Sequence, residues 1–110
     1  MSIDHRKYSR IAKPIEATWR GTSGGSACRI ADLSWGGCFV QTATEPAVGE
    51  HTVITAIIGD REVALTGSVI YRERPIGFAV QFDPLTREQI DVMKDVLGAP
   101  PDFLTERSPT

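Results

Sequence analysis

What most restricts this chain is the rhythm of its middle. Between Pro14 and Phe82, short runs of alternating apolar and polar residues are interrupted again and again by glycine, proline or aspartate. A period of two sends successive side chains to opposite faces of an extended strand, so each run belongs at a boundary between core and water. Ile15, Ala17 and Trp19 alternate with Glu16, Thr18 and Arg20, and the glycine-rich segment Gly21 to Ser26 follows as a turn. Residues 27–33 and 37–42 form two further strand candidates joined through Ser34-Trp35-Gly36-Gly37, and Thr44 to Glu50, with Pro46 and Gly49, is a loop. Val53 to Ile58 is a β-branched run that meets a hairpin signal at Gly59-Asp60. Beyond it, Val63, Leu65, Gly67, Val69 and Tyr71 share one face, and Ala64, Thr66, Ser68 and Ile70 the other. Arg72 to Pro75 is a turn, and Gly77 to Phe82 is a last strand with Phe78, Val80 and Phe82 on one side. Six short strands joined by turns predict a mostly β fold, a six-stranded antiparallel barrel, because closure protects edges that would otherwise be open.

One helix is predicted after the strands. Thr86 and Gln89 make a Thr-x-x-Gln capping box, and Ile90, Met93 and Leu97 recur at helical spacing. Gly98 suits the C-terminal stop, and Pro100-Pro101 forbids continuation. The 110 residues therefore divide into a flexible basic arm over residues 1–13, a barrel with its C-terminal helix over residues 14–98, and a disordered tail over residues 99–110.

Composition narrows the function classes. Net charge is -2, yet the first 29 residues carry Arg6, Lys7, Arg10, Lys13, Arg20 and Arg29 against only Asp4 and Glu16. The acidic remainder argues against a nucleic-acid polymer as partner, which calls for a broad basic surface. Aromatics are 7% of the chain, too few for the stacking groove of a single-strand binder. The basic arm still suits a small anion. No apolar run reaches the roughly 20 residues that span a bilayer, so membrane insertion is not expected. Charges at Asp4, His5 and Arg6 stand where a secretion signal needs an apolar stretch, and the protein is read as cytoplasmic. Cys28 and Cys38 are read as reduced packing residues. His5 and His51 are isolated, so no metal site is expected, and neither phosphate-loop nor dinucleotide-loop glycine patterns occur. No cofactor and no catalytic residues are predicted; the chain reads as a binding protein rather than an enzyme.

Two short segments carry chemistry. Arg6-Lys7-Tyr8-Ser9-Arg10 places two arginines four apart in the arm, and Asp32-Leu33-Ser34-Trp35-Gly36-Gly37 sets an Asp-x-Ser-x-x-Gly pattern at a strand-to-strand turn. Each alone is ordinary: arms are often basic, and Asp and Ser commonly bond their own turn. In this order and setting they resemble the PilZ domain family, whose signature is Arg-x-x-x-Arg followed by Asp/Asn-x-Ser-x-x-Gly. Ile11, Cys38-Phe39-Val40 and Ile76 to Phe82 extend the resemblance, which covers about residues 4–97.

The resemblance implies a PilZ-type barrel with a terminal helix, and a receptor for the bacterial second messenger cyclic di-GMP. It implies that Arg6 and Arg10 grip guanine edges and phosphate, since an arginine fork matches both the O6/N7 acceptors and phosphate oxygens. Lys7 adds charge. Asp32 accepts from guanine N1 and N2 donors or orients an arginine, Ser34 bonds a base or phosphate, and Gly36 and Gly37 let the backbone turn and approach closely. For Arg72 and Arg74, completing the ligand pocket competes with a solvated turn, the latter favoured. For Trp35, stacking on guanine and forming part of a partner surface compete with anchoring the turn, the last favoured because large aromatics are mostly buried. Many members carry a further arginine where His5 stands, a residue associated with binding a stacked pair of ligands, so one and two ligands per domain remain alternatives. Output is expected through an unidentified downstream protein. The alternative is a ligand-independent PilZ adaptor that acts through protein contacts; such adaptors generally lack one or both motifs.

Overall fold

The computed structural model describes residues 14–101. Six strands run in sequence: β1 (Ile15–Gly21), β2 (Gly24–Leu33), β3 (Gly37–Gln41), β4 (His51–Ile58), β5 (Arg61–Glu73) and β6 (Gly77–Phe82), followed by helix α1 (Arg87–Leu97). They close into an antiparallel barrel in the order β1-β2-β3-β6-β5-β4. Neighbours in sequence are therefore mostly neighbours in space, and the return from β3 to β4 crosses to the far side through residues 42–50.

Alternation builds the core. Ile54, Ala56 and Ile58 from β4, Val63, Leu65 and Val69 from β5, and Phe78 and Val80 from β6 all turn inward. Trp19 meets Phe78 edge to face, with ring centroids 5.3 Å apart, and its indole N–H donates to Thr44 Oγ1 at 2.8 Å. The buried indole thus has the hydrogen-bond partner that burial demands. Cys28 and Cys38 are buried and unpaired with each other. Burial, then the nearby Glu16 charge, pushes the Cys28 thiol up to about 11, and complete burial also raises Cys38. Both therefore stay protonated packing groups at neutral pH.

Helix α1 starts as its sequence dictates. Thr86 Oγ1 accepts from the Gln89 N–H at 3.1 Å and Gln89 Oε1 accepts from the Thr86 N–H at 2.8 Å, closing the capping box. Gln89 Nε2 also donates to the Ala64 carbonyl at 2.7 Å, which ties the cap to β5. Val92, Met93 and Leu97 are buried in the barrel core. On the outer side Arg61 reaches Asp91 at 3.2 Å. Gly98, at φ 79°, ends the helix by donating to the Lys94 carbonyl at 3.0 Å.

Three boundaries and one face differ from the sequence expectation. The turn expected over Gly21 to Ser26 shrinks to Thr22-Ser23, because Gly24 to Ser26 pair with β1. A side chain at Gly25 would press into the Trp19 carbonyl, so this glycine serves close strand packing rather than a turn. Strand β4 begins at His51, and β5 runs from Arg61 to Glu73, past the expected turn at Arg72. Finally, Tyr71 does not share the inward face of Val63 to Val69. A register shift between Val69 and Tyr71 adds one residue to β5 and sets Tyr71 opposite Ala79, on the outer wall.

Candidate functional site

The Asp-x-Ser-x-x-Gly segment forms the tight connection between β2 and β3. The Ser34 N–H donates to the Gly37 carbonyl at 2.9 Å, and Ser34 Oγ donates to the same oxygen at 3.3 Å. Ser34 is fully buried, so in this structure its hydroxyl locks the turn. Trp35 is 2% exposed and belongs to the same buried cluster as Val92, Met93 and Leu97. Its burial fits the anchoring role and not stacking on a ligand from outside.

The two glycines serve different ends. A side chain at Gly37 would collide with the Val80 carbonyl of β6, so the absence of one lets β3 lie against its neighbour. Gly36 is exposed, its φ is not positive, and a side chain there would meet open space. Within the fold, close strand packing makes a demand at Gly37 and none at Gly36. Its carbonyl accepts from the Phe82 N–H at 2.9 Å, which joins the turn to the end of β6. Gly37→Ala is expected to destabilise the domain by about 1–3 kcal/mol through overpacking. Gly36→Ala should be neutral or stabilising by about 0.4–1 kcal/mol. Paired thermal melts check both, and equal melts for the two variants would contradict the assignment.

Asp32 reaches the outer wall through an irregularity. Ile30 and Leu33 are both fully buried although three residues apart, which strict alternation forbids. A register shift between Ile30 and Asp32 absorbs the extra residue, Ala31, and sets Asp32 opposite Phe39. Directly opposed residues share a face. Phe39 in turn pairs with Ala79, and Ala79 with Tyr71. Cys38, Val40, Phe78 and Val80, the chain neighbours of Phe39 and Ala79, are buried inside. Asp32, Phe39, Ala79 and Tyr71 thus form one row across four strands on the outside of the barrel. The Phe39 and Tyr71 rings have centroids 6.4 Å apart and are tilted by 36°. Below this row run Gly37, Gln81 and Ser68, and above it Arg29, Gln41, Gly77 and Glu73. Sequence reasoning named Asp32 but missed Phe39 and Tyr71 as neighbours, because which strands lie side by side, and the shift after Val69, cannot be counted from alternation alone.

Arg6, Lys7 and Arg10 lie outside the described residues. Their segment enters the barrel at Ile15, and Ile15 pairs with Ile30 of β2, two residues before Asp32. Arg74 makes an exposed ion pair with Glu45 at 3.1 Å, and Arg72 is exposed on β5. His51 is at the surface: its Nε2 lies 2.7 Å from Asp83 Oδ2, which also accepts from Thr66 Oγ1 at 2.8 Å. These two hydrogen bonds hold the Asp83 carboxyl below the usual carboxylate range. Among the described residues no three His, Cys, Asp or Glu side chains gather to hold a metal ion, and no helix is long and apolar enough to cross a membrane. An open groove of about 410 Å³ over β4, β1 and β2 is lined by Thr18, Arg20, Ala27, Val53 and Thr55, and among the described residues it collects none of the Asp-x-Ser-x-x-Gly motif.

A closed six-stranded barrel with one C-terminal helix, carrying an Asp-x-Ser-x-x-Gly turn between β2 and β3, defines a small β-barrel domain. The model of the PilZ domain matches residues 4–99, and the chain belongs to that family. PilZ domains are binding domains rather than enzymes, and they are generally cyclic di-GMP receptors. Among solved structures, the crystal structure of the PilZ domain of CeSA from a cellulose-synthesizing bacterium is similar in fold, with a TM-score of 0.63 at 19% identity over 79% of this chain and 93% of that one. No curated protein matches the chain.

Proposed function

We propose that this PilZ domain is a receptor for cyclic di-GMP that converts ligand level into a new conformation of its N-terminal arm, and through it into binding of a downstream protein. The observation that supports this reading is the register of β1 on β2. The two halves of the signature, with 21 residues between Arg10 and Asp32, flank one pair of strands, and Ile15 stands opposite Ile30. From Ile15, five residues of extended chain reach up to about 17 Å. The row from Asp32 to Tyr71 covers three strand spacings, about 14 Å. Measured from Ile15 on β1, Asp32 and Phe39 lie one and two strand spacings away, so Arg10 is within tether length of the Asp32 end of that row.

The chemistry is complementary. Guanine offers O6 and N7 to an arginine fork and its N1 and N2 hydrogens to a carboxylate. Arg6 and Arg10 supply the forks, Asp32 the carboxylate, and Lys7 a further charge toward the phosphates. Ser34 and Gly37 fix the turn that presents Asp32, and the exposed backbone at Gly36 leaves room for a ligand to approach. The protein partner reads the arm in its closed state, as ordering of a segment upon a ligand changes the surface on offer. The complete pair of motifs favours this reading over a ligand-independent adaptor. Calorimetric titration with cyclic di-GMP tests it and gives stoichiometry at the same time. Saturable binding at micromolar concentration or tighter is expected; absence of heat at saturating ligand, together with an unshifted melting temperature, would remove the proposal.

A further inference from the structure

We propose that Phe39 and Tyr71 form a stacking platform for one guanine of the ligand, with Asp32 holding the edge of the same base. This rests on the receptor reading above and assigns to the site two residues that neither motif contains.

Three observations carry it. First, the four-residue row Asp32, Phe39, Ala79, Tyr71 is continuous across β2, β3, β6 and β5, so a carboxylate and two aromatic rings line up on one surface. Second, both ends of the row owe their position to an irregularity. Asp32 follows the shift in β2 and Tyr71 the shift in β5. Each bulge disrupts its ladder locally, and such features gather where a side chain must be re-aimed. Third, the residue between the rings is Ala79, small and 2% exposed, so the two rings cover it and form the surface themselves. Phe39 and Tyr71 both remain partly exposed.

The geometry selects a planar base with donors on one edge. Asp32 and Phe39 are directly opposed, with Cβ atoms about 4.5–5.5 Å apart. A ring whose donor edge meets the Asp32 carboxylate therefore lies over Phe39. Tyr71 extends the surface beyond Ala79, on the side away from Asp32. Guanine supplies both requirements, an N1/N2 donor edge and a π-face, whereas adenine lacks the N1 hydrogen. The flanking Gln41 and Gln81, both exposed, bound the platform with polar groups. A simple cross-strand aromatic contact would stabilise the sheet but would give no dependence of ligand affinity on these rings.

The test uses the full chain with cyclic di-GMP. Phe39→Leu and Tyr71→Leu are each expected to weaken binding about tenfold with little change in melting temperature, and Tyr71→Phe to retain near wild-type affinity. In the wild-type complex a guanine H8 proton resonance should move upfield under the aromatic ring current, and the shift should shrink in the leucine variants. Wild-type binding without that upfield shift, or unchanged affinity in both leucine variants, overturns the platform and leaves the receptor reading standing. Failure of the wild type to bind at all overturns the receptor reading and the platform with it.

Discussion

Arg10→Ala is expected to weaken cyclic di-GMP binding by about 100-fold or more while leaving the melting temperature of the barrel unchanged. The size follows from the number and kind of contacts. A guanidinium on the O6/N7 edge of guanine makes two parallel charge-assisted hydrogen bonds, and one such bond to a charged group is worth about 1.5–3 kcal/mol. Tenfold in affinity corresponds to about 1.4 kcal/mol, so losing the fork removes about two decades or more. Arg10→Lys separates charge from geometry. An ammonium keeps the attraction to phosphate but cannot present the planar fork, so it should recover only a minor part of the loss. The first strand begins at Ile15, and among the described residues Ile15 to Leu97 already supply a closed core, which is why stability should not follow affinity. Calorimetry with parallel thermal melts checks both arms. Wild-type affinity in Arg10→Ala would refute the assignment of this arginine.

Trp35→Ala should act in the opposite way, striking the fold first. The indole is 2% exposed and buried within the core cluster, so its removal leaves a cavity under the β2–β3 turn. Truncating a buried tryptophan costs about 3–5 kcal/mol, against about 5–15 kcal/mol for the stability of a whole domain. In a chain of this size that corresponds to a melting temperature lower by about 15 °C or more. Trp35→Phe, which refills part of the volume, should recover a good fraction. Denaturant or thermal unfolding measures the loss. A melt of Trp35→Ala that overlays the wild type would show that the indole does not support the core, and would return it to the ligand side of the turn.

The strands were legible because the barrel has one wet face and one dry one. Where alternation was unbroken, as from Gly77 to Phe82, sequence expectation and structure coincide. The helix was legible from its two caps, Thr86 and Gly98, whose chemistry is local. Boundaries failed where composition and cross-strand packing disagree. Gly24 and Gly25 look like a turn because glycine usually marks one, yet Gly25 lies against the Trp19 carbonyl and belongs to β2. Arg72 looked like a turn residue but pairs with Phe78. The Asp-x-Ser-x-x-Gly half of the candidate site was legible as a motif. What lies beside it was not, since Phe39 and Tyr71 come from strands 32 residues apart in the chain. Only the closure β3-β6-β5, together with the shift after Val69, brings them to one surface.

That shift and its counterpart in β2 give the outer wall a dependence on parity. Each strand carries one supernumerary residue, Ala31 in one and Ile70 in the other, and everything past it is displayed with inverted sidedness. Point substitutions can retune such a surface one group at a time, because the count is untouched. Straightening either bulge at unchanged length would not act so gently: unbroken alternation from Ile30 or Val69 would turn Asp32 or Tyr71 toward the dry interior. The two extra residues, as much as the letters around them, therefore decide which side chains the outer wall presents.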